Sequence, residues 1–269
     1  MARMELTGRT VLLTGASGGI GRSIARALRA RGAALVVTAR RGEVLEELRR
    51  ELDGERVEAV AADLSDREEL ARLVERCAGV DVLVANAALP ASGRIEEFTP
   101  EQIDRALDVN LRAPIQLARA LVPQMVERGT GHLVFISSLA GKVATARSSL
   151  YSATKFGIRA FAAGLREDLY GSGVGVTTVF PGFIREAGMF ADADVRLPAG
   201  VGTRTPDEVA AAVVRGVEEG RPEIDVAPLG LRAGALVSTL APNLTAPLQR
   251  RLGSAAIAEA VAEGQADKR

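Results

Sequence analysis

Short apolar runs alternate along this chain with longer segments whose apolar positions recur every three or four residues. The runs Thr10–Thr14, Ala34–Thr38, Val57–Ala61, Val80–Ala85, Leu133–Ser137 and Val174–Phe180 have the length and β-branched content of buried parallel strands. Between them Ile20–Arg31, Glu43–Leu52, Arg67–Cys77, Pro100–Arg128 and Leu150–Tyr170 carry the helical period, with charges on the opposite face. Strands alternating with helices predict βαβ units with right-handed crossovers. The expected fold class is therefore α/β: a single doubly wound domain, with a mostly parallel seven-stranded sheet and helices on both faces. Ligands of such sheets sit beyond the carboxyl ends of the strands.

The pattern changes after Phe180. Residues 181–205 are rich in Gly, Pro, Phe and Met and hold no clear strand, which predicts a substrate lid. A helix over Pro206–Glu219 and a strand near Ile224–Val226 complete the expected core of residues 6–226. Residues 227–269 form a helical extension, in which Leu231, Leu236, Val237 and Leu240 are expected to be the covered face of a first short helix. The uncharged stretch Ala233–Gln249 is shorter than the roughly 20 residues that a membrane-crossing helix needs, and Pro242 and Pro247 interrupt it. The extension is thus expected to pack on the substrate mouth or a subunit contact, with peripheral lipid contact through Arg250 and Arg251 as the lesser reading.

At 269 residues the chain suits one domain, 1–269. Its 34 basic and 34 acidic side chains balance, so no long-range field recommends nucleic acid or an anionic membrane. The single cysteine, Cys77, excludes an intrachain disulfide and a cysteine-rich metal site, and no metal is expected. With a mostly polar start at Met1–Arg9, the chain reads as cytoplasmic. A small molecule is the expected partner.

The first strand runs into Thr14-Gly15-Ala16-Ser17-Gly18-Gly19-Ile20-Gly21 and then directly into a helix. Glycines there permit a tight turn, and the free N–H groups of Ser17 to Gly21 with the positive helix end suit a pyrophosphate. About twenty residues on, the second strand ends in Ala39-Arg40-Arg41, where an NAD-selective sheet holds an acid for the ribose 2′-hydroxyl. An arginine suits a 2′-phosphate instead, so NADP(H) is the preferred cofactor, NAD(H) the alternative, and Arg40, with Arg41 beside it, the selecting group. Tyr151 and Lys155 are four residues apart and share a helix face. An ammonium about 5 Å from a phenol is worth roughly 3 kcal/mol at an effective dielectric of ~20, which would bring Tyr151 down by ~2 pKa units toward use as a general acid or base.

In order and context these motifs resemble the short-chain dehydrogenase/reductase family of the Tyr-x-x-x-Lys type, over Leu6 to about Val226. Thr14–Gly21 matches its glycine motif. The resemblance implies a Rossmann fold and hydride transfer between nicotinamide and a carbonyl or secondary alcohol, with Tyr151 carrying the proton. It further implies that Asp63 and Leu64 meet the adenine, that Asn86-Ala87-Ala88 stands for Asn-Ala-Gly beside the ribose, and that Lys155 holds the nicotinamide ribose. Pro181, Gly182 and Ile184 would wall the nicotinamide. Ser138, at the second position of the Ser137-Ser138 pair, would bind the substrate oxygen, and Asn110 would hold a water that links Lys155 to solvent. Glu186 departs from the pattern, which often has Thr there. The substrate is expected to be an apolar carbonyl or alcohol, and a homodimer or homotetramer is expected by analogy. The alternatives are a non-catalytic NADP-binding sensor and, more weakly, an epimerase or dehydratase.

Overall fold

A computed structural model describes residues 3–52, 54–191, 201–241 and 254–265. Its sheet has seven parallel strands: β1 (Thr10–Thr14), β2 (Ala34–Ala39), β3 (Val57–Ala61), β4 (Val82–Ala85), β5 (Gly131–Ile136), β6 (Val174–Pro181) and β7 (Glu223–Val226). Their order is β3-β2-β1-β4-β5-β6-β7, with Leu13 opposite both Val37 and Val84. The order reverses between β1 and β4, so a crevice opens at the carboxyl ends of those strands.

Alternation along each strand builds two cores. Val11, Leu13, Leu35, Val37, Val84 and Val134 meet the helices α1 (Gly19–Ala30), α2 (Gly42–Glu51) and α7 (Pro206–Glu219) on one face. Leu12, Val36, Leu83, Leu133 and Phe135 meet α3 (Arg67–Arg76), α5 (Ala113–Glu127) and α6 (Ser149–Asp168) on the other. Most boundaries lie within two residues of the sequence expectation.

The expected helix over Pro100–Arg128 is instead α4 (Pro100–Leu107), a π turn at Asp108–Arg112, and α5. Its apolar spacing continues through the turn, which is why the pattern showed one element. The expected apolar face of α8 (Leu229–Leu240) is not covered within the chain itself: Leu236 is 62% and Val237 52% exposed, whereas Ala235 and Ser238 are buried. The side chain of Leu240, with Pro242, Pro247, Arg250 and Arg251, lies outside the described residues, as does lid segment 192–200. A last helix, α9, spans Ser254–Glu263. Among the described residues no helix is long and apolar enough to cross a membrane, and no group of three His, Cys, Asp or Glu side chains could hold a metal ion.

Cys77 caps α3 and is fully buried, its thiol pushed up to about 11 by burial. His132 lies inside β5 rather than before it. Its Nε2 meets Thr177 Oγ1 at 2.8 Å, and since that hydroxyl donates to the Arg221 carbonyl, Nε2 is the donor. Burial lowers His132 to about 4 from an ordinary 6.5. The unfolded chain therefore takes up this proton near 6.5 and the folded chain only near 4, so stability present above pH 6.5 is lost as pH falls toward 4. The 2.5-unit gap amounts to about 3 kcal/mol. Denaturant unfolding at pH 7 and 4.5 should show His132→Gln losing less stability on acidification than the native chain; equal losses would refute the assignment.

Candidate active site

The glycine turn closes against β4 through a set of short contacts. Thr14 Oγ1 accepts from the Asn86 and Ala87 N–H groups, both at 3.0 Å. Asn86 Nδ2 donates to the Thr14 and Gly15 carbonyls at 3.0 and 3.2 Å. Gly15 has φ 67°, and a Cβ there would lie 2.7 Å from Ala87 Cα. A Cβ at Gly21 would lie 2.2 Å from the Gly15 carbonyl oxygen. Ala88 has no left-handed backbone, so the methyl that replaces the family glycine imposes no strain.

Three helices carry side-chain caps that α1 lacks. Asp66 caps α3, and Thr99-Gln102 and Thr205-Glu208 form capping boxes on α4 and α7. At α1 the N-cap is Gly18, without a side-chain cap or an acidic residue in the first turn. Its first N–H groups and positive dipole end are thus left for an anion. Arg40 and Arg41 are exposed beyond β2, without an ion-pair partner among the described residues. Ser17 is partly exposed and Leu64 is buried.

Asp63 lies two residues past β3 and is already engaged: Ser65 Oγ and N–H donate to Oδ1 at 2.6 and 2.9 Å, and Arg105 Nη2 lies 3.1 Å from Oδ2. Burial opposes its charge, but the Ser65 bonds, Arg105 and Arg40 outweigh that and hold its carboxyl below the ordinary value. Ile184 has its side chain in the core, which leaves only its backbone for a cofactor contact. Glu186 has φ 70° and is exposed, its carboxylate 2.9 Å from Arg185 Nε. The next residue, Ala187, lies so close to the glycine turn that a Cβ at Gly19 would meet its methyl at 2.3 Å. Phe183 and Phe190 meet in the same lid with ring centres 4.9 Å apart and planes tilted by 52°.

Tyr151 and Lys155 lie in the first two turns of α6, with Ser138 just beyond β5. Ser138 Oγ accepts from Ala140 N at 3.1 Å and lies 3.4 Å from the Pro181 carbonyl, to which it can donate. Ser137 is fixed on Lys155, its Oγ donating to that residue's carbonyl at 2.9 Å. Lys155 Nζ donates to the Ile136 carbonyl at 3.0 Å and sits 5.6 Å from the centre of the Tyr151 ring. One expectation is overturned: burial pushes Tyr151 up to about 12, only partly opposed by a hydrogen bond with Ser138, and lowers Lys155 to about 8. Desolvation, a tertiary effect, outweighs the attraction inferred from spacing alone. Tyr151 as a whole keeps partial exposure, so crowding by protein atoms rather than complete exclusion of water is responsible.

Asn110 sits in the π turn and is buried, with Oδ1 accepting from Leu89 N at 2.6 Å and Nδ2 donating to the Leu89 carbonyl at 2.9 Å. Its side chain thus holds the loop after Asn86. Thr14 as a clamp and Arg105 as the partner of Asp63 were not singled out from sequence. Thr14 stood inside the motif, while Arg105 had no signal beyond being one charge on an amphipathic helix. Two open hollows, of about 670 and 510 Å³, are lined by residues such as Thr7 and Arg31 and Val36 and Glu58; they share no residue with this site.

A parallel seven-stranded sheet, a glycine turn at its switch point and a Tyr-Lys pair on one helix define a nucleotide-dependent oxidoreductase. Residues 9–196 match the short chain dehydrogenase family, and the chain belongs to that family. It is 37% identical over 227 residues to the ketoacyl reductase HetN of Nostoc sp., covering 82% of this chain and 79% of that protein. A short-chain dehydrogenase from Sphingobium yanoikuyae in complex with NADPH is 34% identical, with a TM-score of 0.77 over 88% of this chain and 95% of that one. A metagenomic short-chain oxidoreductase in complex with NADP is 33% identical, with a TM-score of 0.70 over 84% and 99%.

Proposed function

We propose that this protein is an NADP(H)-dependent reductase of apolar ketones, working as one domain in the cytoplasm and as a homo-oligomer. The observation that carries the reading is the Tyr151-Ser138-Lys155 constellation beside an uncapped helix start. The residues fit a dinucleotide: without side chains at Gly15 and Gly21 the turn packs tightly enough to bring the uncapped start of α1 to the strand ends, and the exposed Arg40 and Arg41 suit a 2′-phosphate. Asp63, Leu64 and the Asn86-Ala87-Ala88 turn would line its adenosine half, and Pro181, Gly182 and the Ile184 backbone its nicotinamide. Bound nicotinamide would supply a hydride to the carbonyl carbon.

Tyr151, raised toward 12, holds its proton at neutral pH and gives it to the carbonyl oxygen. The Ser138 hydroxyl donates a hydrogen bond to the same oxygen as charge develops there. Lys155 stays mostly charged below about 8 and stabilises the tyrosinate that remains. Phe183, Met189 and Phe190 favour a carbonyl flanked by apolar groups, and the ketoacyl reductase relative supports a ketone. The sensor reading has no observation in its favour, since every proton-transfer group is present.

NADPH oxidation against a panel of ketones and ketoacyl thioesters tests this; absence of turnover with every member would refute it. Arg40→Ala should raise the NADPH dissociation constant by about 10-fold or more and leave NADH within 2-fold, because loss of a charge-assisted bond costs roughly 1.5–3 kcal/mol. Equal effects on both would remove Arg40 from the site.

A further inference from the structure

Among the described residues Arg147 is one of two non-glycine residues with a left-handed backbone, at φ 56°. Such a residue persists only where its surroundings fix it. It lies four positions before Tyr151, and its carbonyl accepts from Gly93 N at 2.6 Å, while Tyr151 N donates to the Ala91 carbonyl at 3.2 Å. The loop through Ala91 and Gly93 is therefore tied to the start of the catalytic helix at both points. The Arg147 side chain, only 19% exposed, then reaches two carboxylates with its guanidinium, Glu97 beyond this loop and Glu259 on α9.

The far end of α9 is also held. Gln265, just past the helix and 2% exposed, donates from Nε2 to the Met189 carbonyl at 2.8 Å, and Ala262 is buried. Met189 belongs to the lid whose Ala187 touches Gly19. One helix thus links two segments, the 91–97 and 145–148 loops beside Tyr151 through Glu259 and the 183–191 lid beside the glycine turn through Gln265.

We infer that α9 is a strap across the substrate mouth, and that the Arg147–Glu259 ion pair is the latch that makes it limit substrate size. Arg147 and Glu259 are positioning residues: neither needs to touch the reacting atoms. The inference rests on the reading of Tyr151 as the proton donor, because that reading makes the space between these segments the mouth. The latch is charged and half in solvent, Glu259 being 49% exposed, so it is weak enough to open in turnover.

The test uses the full chain with Glu259→Lys, which sets a like charge against Arg147 at an exposed position and spares the fold. Hydrogen exchange of the α9 amides is measured beside kcat and KM for a compact ketone and for one with bulky groups on both sides. We expect faster exchange in α9, a rise of about 5-fold or more in the bulky-to-compact ratio of kcat/KM, carried by KM of the bulky ketone, and compact-ketone kcat and NADPH affinity within 2-fold. Glu259→Gln, which retains a hydrogen-bonding acceptor, should move the ratio in the same direction but less. Unchanged exchange would overturn the latch. Faster exchange with an unchanged ratio, or a parallel fall for both ketones, would overturn the strap as a limit on size. Failure of the underlying reading appears separately, as a Tyr151→Phe variant that still turns over the compact ketone.

Discussion

Tyr151→Phe should lower kcat by 100-fold or more and leave the NADPH dissociation constant within about 3-fold. A positioned proton donor contributes 10²–10⁴-fold, and the substitution deletes one oxygen while the ring keeps its place on α6 beside Leu150 and Phe98. The pH dependence separates a lost donor from a disturbed fold. In the native chain the reductive rate should be level at neutral pH and fall as pH rises through about 8, where Lys155 loses the charge that stabilises tyrosinate. Tyr151 itself titrates only near 12 and should not shape that limb. In Tyr151→Phe the residual rate should lack the limb, because no tyrosinate forms for Lys155 to stabilise. A variant that kept a tenth of the native rate would show that another group carries the proton. A variant with the same limb would detach Lys155 from Tyr151.

Where sequence reasoning succeeded, it relied on local periods. Strand runs such as Val11-Leu12-Leu13 are apolar because both faces are covered, and helices such as α1 show a single apolar stripe, so element type was visible without contacts. The order of motifs brought Gly15, Asn86, Ser138, Tyr151 and Lys155 to one sheet end because doubly wound topology sends every strand's carboxyl end there. What escaped depends on depth and distance. The π turn at Asp108–Arg112 keeps helical spacing and is betrayed only by a buried Asn110 whose amide closes on Leu89, 21 residues away. On α8 the long residues Leu236 and Val237 looked inward by type, yet Ala235 and Ser238 are the residues buried within this chain. The direction of the Tyr151 shift follows from burial, which spacing along one helix does not report. Arg147 carries no motif, since its partners Glu97 and Glu259 lie 50 and 112 residues away.

Gly21→Ala should raise the NADPH dissociation constant more than 10-fold and destabilise the fold by about 1–3 kcal/mol, whereas Gly18→Ala three residues earlier should do little to the stability of the fold. The two glycines share a motif and differ in surroundings. At Gly21 the added methyl would stand 2.2 Å from the Gly15 carbonyl oxygen and 2.8 Å from Ala16 Cα, both backbone atoms without a side chain to turn aside. Relief requires α1 to move off the turn, and that carries its first N–H groups away from the position where a pyrophosphate would sit. Thr14 and Asn86 resist the movement, because their four hydrogen bonds fasten the turn to β4. At Gly18 the nearest atom to an added methyl is the Gly15 carbonyl at 3.6 Å, an ordinary contact, and φ is −79°, open to any residue. Fluorescence titration with NADPH and thermal unfolding of both variants decide the matter. If Gly21→Ala bound NADPH as the native chain does, the start of α1 would not be the anion site; if Gly18→Ala unfolded as easily as Gly21→Ala, the close approach of α1 to Gly15 would not be the reason for the lost stability.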